Sequence, residues 1–401
     1  MKKAISILLA VIIAASIFTA MPVISSAAGH TQTEKESNDN FSDAQLITLG
    51  NTLTGDMPDA SDPDFYKFIS NEDGKINISI DNLTPNKGAQ QGNWSFFLYE
   101  SDSYNKLIGM AEIDLVKTGV TLPFIGAQAG HYYYLQIYAG PRYASKHSYR
   151  IRTSFTKGKF YEKECNNTEF NATKAILANK YTGTIGGDHR DGDLNECVDR
   201  DYYDLKAPAK GTMTLTFSHK NKTPVTQYGG GWYLDLYKHH NGGNLTVSSA
   251  LIAVNKDPSK KLYKATIAKN AEFWLAVKSG YDPSYSGYGV LPYASDAVGE
   301  PYTVATTFVL AAKPKLSAKA TKNSITLTSK KLADVTGYEI QMKSGSKFKK
   351  IATTKKPALS YKKSGLKKNT KYSFKVRAYL KKDGTTYYGN WVSKTAKTKK
   401  K

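Results

Sequence analysis

The sequence predicts an all-β protein built as three consecutive β-sandwiches, the first two jelly-roll-like. Three observations carry that expectation. Apolar residues recur with a period of two along most of the chain. A series of motifs from the first part of the chain returns in the same order in the middle part. Turn-forming residues, among them 31 Gly and 14 Pro in 401 residues, cluster between the alternating stretches. Alternation buries one face of a strand and wets the other, so each sheet needs a second sheet to cover it. A composition of 40% hydrophobic and 22% charged residues with two Cys excludes a disordered chain, a collagen-like repeat and a cysteine-stapled mini-domain.

The first 28 residues read as an address. Lys2 and Lys3 precede an apolar run over 4–21, with small residues at Ser26 and Ala28, as in a secretory signal peptide. Cleavage after Ala28 predicts a chain that is secreted or held at the cell surface, with no transmembrane span once mature. A retained N-terminal anchor is the alternative.

The repeat defines the next two units, 29–156 and 157–312. TEKESNDNFSDAQLI from Thr33 returns as YEKECNNTEFNATKAIL from Tyr161. DPDFYKFIS from Asp62 returns as DRDYYDLKA from Asp199, and WSFFLYES from Trp94 as WYLDLYKH from Trp232. Two copies of one domain follow. Within them Ile76, Ile78 and Ile80 alternate with polar residues, as do Met213, Leu215 and Phe217. Only DAQLITL and NATKAILA offer a short helical turn.

Residues 313–401 form a third unit of roughly seven short strands, with Tyr372, Phe374, Val376, Ala378 and Leu380 expected on the inward face. It holds 26 Lys plus Arg against three acids, a surplus of +23, while the preceding 312 residues are close to neutral. Such a field concentrates polyanions and weakens with salt. For a secreted chain an anionic cell-surface polymer is the expected partner, and nucleic acid is not. A solvated face that only aids solubility is the alternative. The run from Leu366 to Ala378 (L-x-x-N-T-x-Y-x-F-x-V-R-A) resembles a fibronectin type III domain. There is no Cys…Trp…Cys spacing of the disulfide-bearing immunoglobulin kind.

The duplicated units resemble the bacterial pre-peptidase C-terminal domain, a β-sandwich appended to secreted peptidases such as clostridial collagenases. The resemblance rests on Glu34, Glu36, Asn38 and Asp39 at the start of one copy, Asp62, Asp64, Phe65 and Tyr66 at a later strand, and Tyr149 near its end. In the second copy it rests on Glu162, Glu164, Asn166, Asp199, Asp201, Tyr202, Tyr203 and Tyr302. It implies accessory modules for substrate or matrix binding, some of which bind calcium. The residues give that implication a physical basis. In an extended segment Glu34, Glu36 and Asn38 point to one side. Set against Asp62 and Asp64, with Asp39 beside them, they would assemble hard oxygen ligands suited to Ca²⁺. Ordinary capped turns with surface acids are the alternative. The second copy adds Asp188, Asp191, Asp193 and Glu196 in one loop. Cys165 and Cys197 flank that loop, and an extracellular location makes a disulfide their expected state, with two free thiols as the alternative.

No nucleophile elbow, H-E-x-x-H, phosphate loop or dinucleotide fingerprint occurs, so an enzyme is not expected. The expected function is a non-catalytic binding or adhesion protein for an extracellular polysaccharide or matrix protein. The candidate contacts are Tyr132–Tyr134 and Tyr138 in one copy, and Tyr228, Trp232, Tyr281, Tyr285 and Tyr288 in the other. A structural spacer or assembly subunit for an extracellular enzyme is the chief rival, and an enzyme acting on cell-wall material the third choice.

Overall fold

The structure, a computed structural model, describes residues 29–58, 62–85, 93–104, 107–115, 117–139, 147–186, 199–220, 231–240, 243–253, 258–280 and 299–401. The predicted signal peptide over 1–28 lies outside them. The described chain is all-β, and it contains no helix. DAQLITL and NATKAILA, expected to supply helical turns, instead give the short strands Gln45–Leu46 and Thr173–Ala175. These pair in parallel with Asp64–Ile69 and Arg200–Lys206. Each segment is too short to close helical turns, and the neighbouring strand offers its backbone groups immediate partners.

The first unit is a sandwich of two sheets. One sheet runs Thr31–Thr33, Thr52–Met57, His147–Lys157, Gly74–Asn82, Gly119–Thr121, with Ile125–Ala127 also paired to Gly74–Asn82. The other runs Gln45–Leu46, Asp64–Ile69, Tyr132–Ala139, Asn93–Tyr99, Leu107–Asp114. The core lies where their alternating residues meet. Ile76, Ile78 and Ile80 from one sheet pack with Tyr66, Phe68, Trp94, Phe96, Tyr133 and Leu135 from the other.

The second unit repeats the order. Its front sheet runs Thr173–Ala175, Arg200–Lys206, Glu272–Gly280, Gly231–His240, Gly243–Ala253, strand for strand the sequence of neighbours seen before. Its back sheet pairs Lys180–Gly183, Tyr302–Leu310, Gly211–His219 and Ser259–Ile267. Met213, Leu215 and Phe217 point inward against Trp232, Leu234 and Leu236.

The C-terminal unit is a fibronectin type III-like sandwich. A three-stranded sheet, Ser317–Ala320, Ser324–Ser329, Leu359–Ser364, covers a sheet of Lys347–Thr353, Gly337–Ser344 and Lys371–Lys382. Lys371–Lys382 pairs on its far side with Thr385–Gly389 and then Val392–Lys397. Tyr338, Ile340, Phe374, Val376 and Ala378 are fully buried between the two layers.

The junction near 313 is not a structural break. Val309 and Leu310 pair in parallel with Tyr388 and Gly389, so one nine-stranded sheet crosses from the second unit into the third. A single hydrophobic core runs through both, and the Phe308 ring meets Tyr387 edge-on at 5.6 Å. Residues 157–401 should therefore unfold in one calorimetric transition. Phe308→Ala should lower its stability by about 3–5 kcal/mol and move the whole transition. Two transitions, of which only one shifts, would contradict a shared core.

Candidate functional site

In each N-terminal unit the acids gather around a tyrosine hydroxyl. Tyr149 OH donates within 2.6 Å of Glu34 Oε1 and lies equally close to Asp64 Oδ2. Tyr66 OH bonds the same Glu34 oxygen, and Glu34 Oε2 accepts the Asp56 N–H at 2.8 Å. In the second unit Tyr302 OH bonds Asp201 Oδ2 and reaches Glu162 Oε2 at 3.3 Å, with Tyr203 OH at 2.8 Å from Tyr302 OH. Glu162 Oε1 accepts the Thr184 N–H at 2.9 Å. The asparagines hold the same post: Phe65 N–H donates to the Asn38 carbonyl at 2.7 Å and Tyr202 N–H to the Asn166 carbonyl at 2.9 Å.

Two glycines make this arrangement fit. A Cβ on Gly55 would lie 2.6 Å from the Tyr149 ring and 2.8 Å from Glu34 Oε1. One on Gly183 would lie 2.1 Å from Glu162 Oε2 and 2.4 Å from Tyr302 OH. Sequence reasoning passed over both, although Thr-Gly recurs at 54–55 and 182–183 with the same offset as Glu34 and Glu162.

The structure brings most of the predicted ligands together. Carboxylate oxygens of Glu34, Glu36 and Asp64 lie within 4.8 Å of one another, as do those of Glu36, Asp39 and Asp62, and those of Glu162, Glu164 and Asp201. Several oxygens of these residues and their neighbours are buried with no hydrogen-bond partner among the described residues: Asn38 Oδ1 and Asp64 Oδ1 in the first, and Glu164 Oε2, Asn166 Oδ1, Asp199 Oδ1 and Asp201 Oδ1 in the second. Each such oxygen costs about 1–3 kcal/mol of lost solvation when nothing replaces water. Such a set of all-oxygen donors has the chemistry of a hard-cation site.

The two clusters differ in access. Glu36 and Asp39 are exposed, whereas Glu162, Glu164, Asn166, Asp199 and Asp201 are all buried. The cause is the first unit, which closes over the second cluster. Glu164 N–H donates to the Gly126 carbonyl at 2.9 Å, Gln128 Nε2 to the Glu164 carbonyl at 2.8 Å, and Cys165 N–H to Glu100 Oε2 at 2.6 Å. Cys165 is buried beside the cluster. Its expected partner Cys197 lies outside the described residues, as do Asp188, Asp191, Asp193 and Glu196.

Crowded carboxylates in a dry site resist ionising together. Burial first, then the Glu34 charge, pushes Asp64 up to about 9. Burial pushes Asp201 up to about 7. Glu162, Glu164 and Asp199 are raised by burial and then by neighbouring acids, and Glu36 by burial and then by Glu34, Asp62 and Asp39.

The predicted ligand-binding aromatics fare unevenly. Trp232 is 0% exposed and packs among Phe217, Leu234 and Leu236, so it offers no ring to a ligand. Strand alternation puts Trp232 on the core side and its neighbour Tyr233, 38% exposed, on the outer side. Tyr133 is likewise core, Tyr134 is buried, and Tyr138 is half-buried on the outer face opposite Ser95. Tyr228, Tyr281, Tyr285 and Tyr288 lie outside the described residues. Sequence reasoning missed an aromatic cluster on the outer face of the first front sheet. There the Phe41 ring meets Phe65, Tyr99, Tyr104 and Tyr134 edge-on at 4.8–5.4 Å. Tyr104 is 57% exposed and Tyr132 42%. The second front sheet carries Tyr233, Tyr237 and Trp274 on its outer face, with Lys278 Nζ 4.9 Å from the Tyr233 ring centre.

No family model matches this chain, and neither does any curated protein. Among solved structures it is similar to FN3tt, 27% identical over 22% of this chain and 91% of that one, at a TM-score of 0.19. It is also similar to the fibronectin type-III domain of human fibronectin type III domain containing protein 3, 24% identical over 22% and 90%, at 0.17. A segment of two fibronectin type-III domains from chicken tenascin is 14% identical over 48% and 94%, at 0.22. Scores of that size carry no argument, and the fold of the third unit stands on its own strand order.

The raised carboxyls fix the sign of a pH effect. Asp64 binds its proton more tightly folded than unfolded, where its value is near 3.9. Its contribution to stability is thus complete below about pH 4 and is lost as pH rises towards 9. In chelator, unfolding free energies from urea titrations between pH 5 and 9 should fall with pH in the wild type, by up to about 1.4 kcal/mol per pH unit. They should fall less in Asp64→Asn. Equal slopes would contradict a raised Asp64 carboxyl.

Proposed function

We propose that this is a secreted, non-catalytic protein that binds an extracellular polymer, a polysaccharide or matrix protein, through its two front sheets. The observation that carries the proposal is the outer face of those sheets. Both copies place tyrosines there, on the side away from the core, and partly exposed rings stack on sugar or peptide with little loss of side-chain entropy. The two units act as tandem modules of the pre-peptidase C-terminal kind, and tandem attachment to one polymer raises avidity without new contacts.

Calcium is the proposed cofactor. Support comes from the donor set: carboxylate and amide oxygens only, several buried without partners, in the same place in both copies. Glu34, Glu36, Asp64 and Asn38 would hold the ion in the first copy, with Asp39 and Asp62 on the exposed side. Glu162, Glu164, Asn166, Asp199 and Asp201 would hold it in the second. A bound cation would leave these acids ionised and fix the segment before the first strand of each front sheet to the sandwich. The basic third unit meets an anionic cell-surface polymer in this scheme. A spacer role is the second reading, favoured by the sheet that makes 157–401 continuous.

Two measurements test the proposal. Tyr104→Ala with Tyr132→Ala, and separately Tyr233→Ala, should each weaken polymer binding by about tenfold in a panel of polysaccharides and matrix proteins. Unchanged binding would remove the front sheets from the contact. Millimolar calcium should raise the melting temperature over chelator, by an amount worth about 1–3 kcal/mol. Glu36→Ala should lose much of that rise while keeping its stability in chelator. A melting temperature indifferent to calcium would refute the cation.

A further inference from the structure

The third unit has two outer faces, and its charge is not shared evenly between them. On the three-stranded sheet, the outward row through Lys319, Thr326 and Lys362 is the only cationic one. On the other sheet the outward positions bring Lys343, Lys350, Lys371, Lys375, Arg377 and Lys397 to one surface across four strands.

The three acids of the unit do little to offset this. Glu339 is held by Arg377 at 3.0 and 2.7 Å, Asp334 pairs with Lys269 of the second unit at 2.6 Å, and Asp383 sits in the turn before Thr385–Gly389. Lys371 stands directly opposite Lys397 on neighbouring strands, a pairing of like charges that destabilises a sheet. The face therefore keeps a repulsion that a bound anion would relieve.

The same face is built to hold its cations in place. Lys375 Nζ lies 4.4 Å from the Phe348 ring centre, and the Arg377 guanidinium lies 3.7 Å from Tyr388 and 4.5 Å from Trp391. Between the lysines lie hydroxyl and amide groups, with Ser373 and Thr395 bonded at 3.0 Å and Gln341 between Lys350 and Lys375. With strands about 4.8 Å apart, Lys350 and Lys375 stand roughly 10 Å apart along that row.

We propose that this sheet face is the docking surface for a linear anionic polysaccharide, carrying carboxylate or sulfate groups along its length. The inference rests on the reading that residues 313–401 meet an anionic polymer, and it assigns that contact to one face. The lysines answer the charge, and the hydroxyl and amide rows answer the sugar. The rings of Phe348, Tyr388 and Trp391 are engaged by cations rather than free to stack on bases or enter a bilayer.

The test uses the full chain in calcium-containing buffer at low ionic strength, with immobilised dextran sulfate, uncharged dextran, polyadenylate RNA and anionic phosphatidylglycerol vesicles as probes. One variant carries Lys343→Gln, Lys350→Gln, Lys371→Gln and Lys375→Gln. A charge-matched control carries Lys319→Gln, Lys322→Gln, Lys330→Gln and Lys362→Gln. The wild type should bind dextran sulfate best, and uncharged dextran not at all. The face variant should bind it at least about tenfold more weakly and the control within about threefold of wild type. Dextran sulfate should raise the melting temperature of the wild type and of the control, but not of the face variant. Equal weakening of the two variants would overturn the face while leaving an anionic partner in place. Tighter binding to RNA or vesicles would overturn the polysaccharide. No binding of the wild type to dextran sulfate would overturn both the face and the reading beneath it.

Discussion

In both N-terminal sandwiches a single phenol, Tyr149 or Tyr302, stands between two carboxylates that come from distant parts of the chain. One belongs to the segment before the first strand of the front sheet, Glu34 or Glu162. The other, Asp64 or Asp201, opens the second strand of the front sheet or sits just inside it. The phenol has one proton for two acceptors; Tyr66 OH also reaches Glu34 in the first unit, and Tyr203 OH bonds Tyr302 OH in the second. Neighbouring oxygens of Asn38, Asp64, Asn166 and Asp201 have no hydrogen-bond partner among the described residues. Buried polar atoms are seldom left so, and the cheapest remedies are protons on the acids or a cation among them. Much else follows from this constraint: the glycines at 55 and 183, the raised acids, and the tie between the incoming segment and the sandwich.

How the units sit together sets how far each cluster is open to water. The first cluster faces water on the side of Glu36 and Asp39. The second is capped by Gly126, Gln128 and Glu100 of the first unit, and Lys163 pairs with Asp73 across the same junction at 2.5 Å. Beyond it, the sheet continues through Val309 and Leu310 into the third unit. Successive units thus meet by backbone hydrogen bonds as well as by side chains.

What the sequence discloses depends on how local the determining pattern is. Period two placed Ile76, Ile78 and Ile80 and Met213, Leu215 and Phe217 inside, where all six are fully buried. The acids at 34, 36 and 64 and at 162, 164 and 201 are legible because the same order of motifs repeats in both copies. Trp232, a candidate contact as an aromatic ring, runs against the phase of its own strand. Leu234 and Leu236 share its face, so alternation already assigned it to the core and Tyr233 to the surface. The Phe41 cluster draws its rings from four separate segments, and the capping of the second cluster uses Glu100, some 65 residues before Cys165. The parallel pairing of Val309 with Tyr388 spans 79 residues and leaves no local trace. Contacts of that range are fixed by topology, which no short window of sequence encodes.

That the two acid clusters are cation sites built on one plan is a proposal that counting bound ions decides. Native mass spectrometry of the full chain, exchanged into calcium and then into volatile buffer, should show two calcium ions retained. The count should fall to one in Asp64→Asn and to one in Asp201→Asn, and to none in the double variant, with each variant still folded by circular dichroism. A folded wild type that retains no calcium, or a double variant that still retains two, would contradict it.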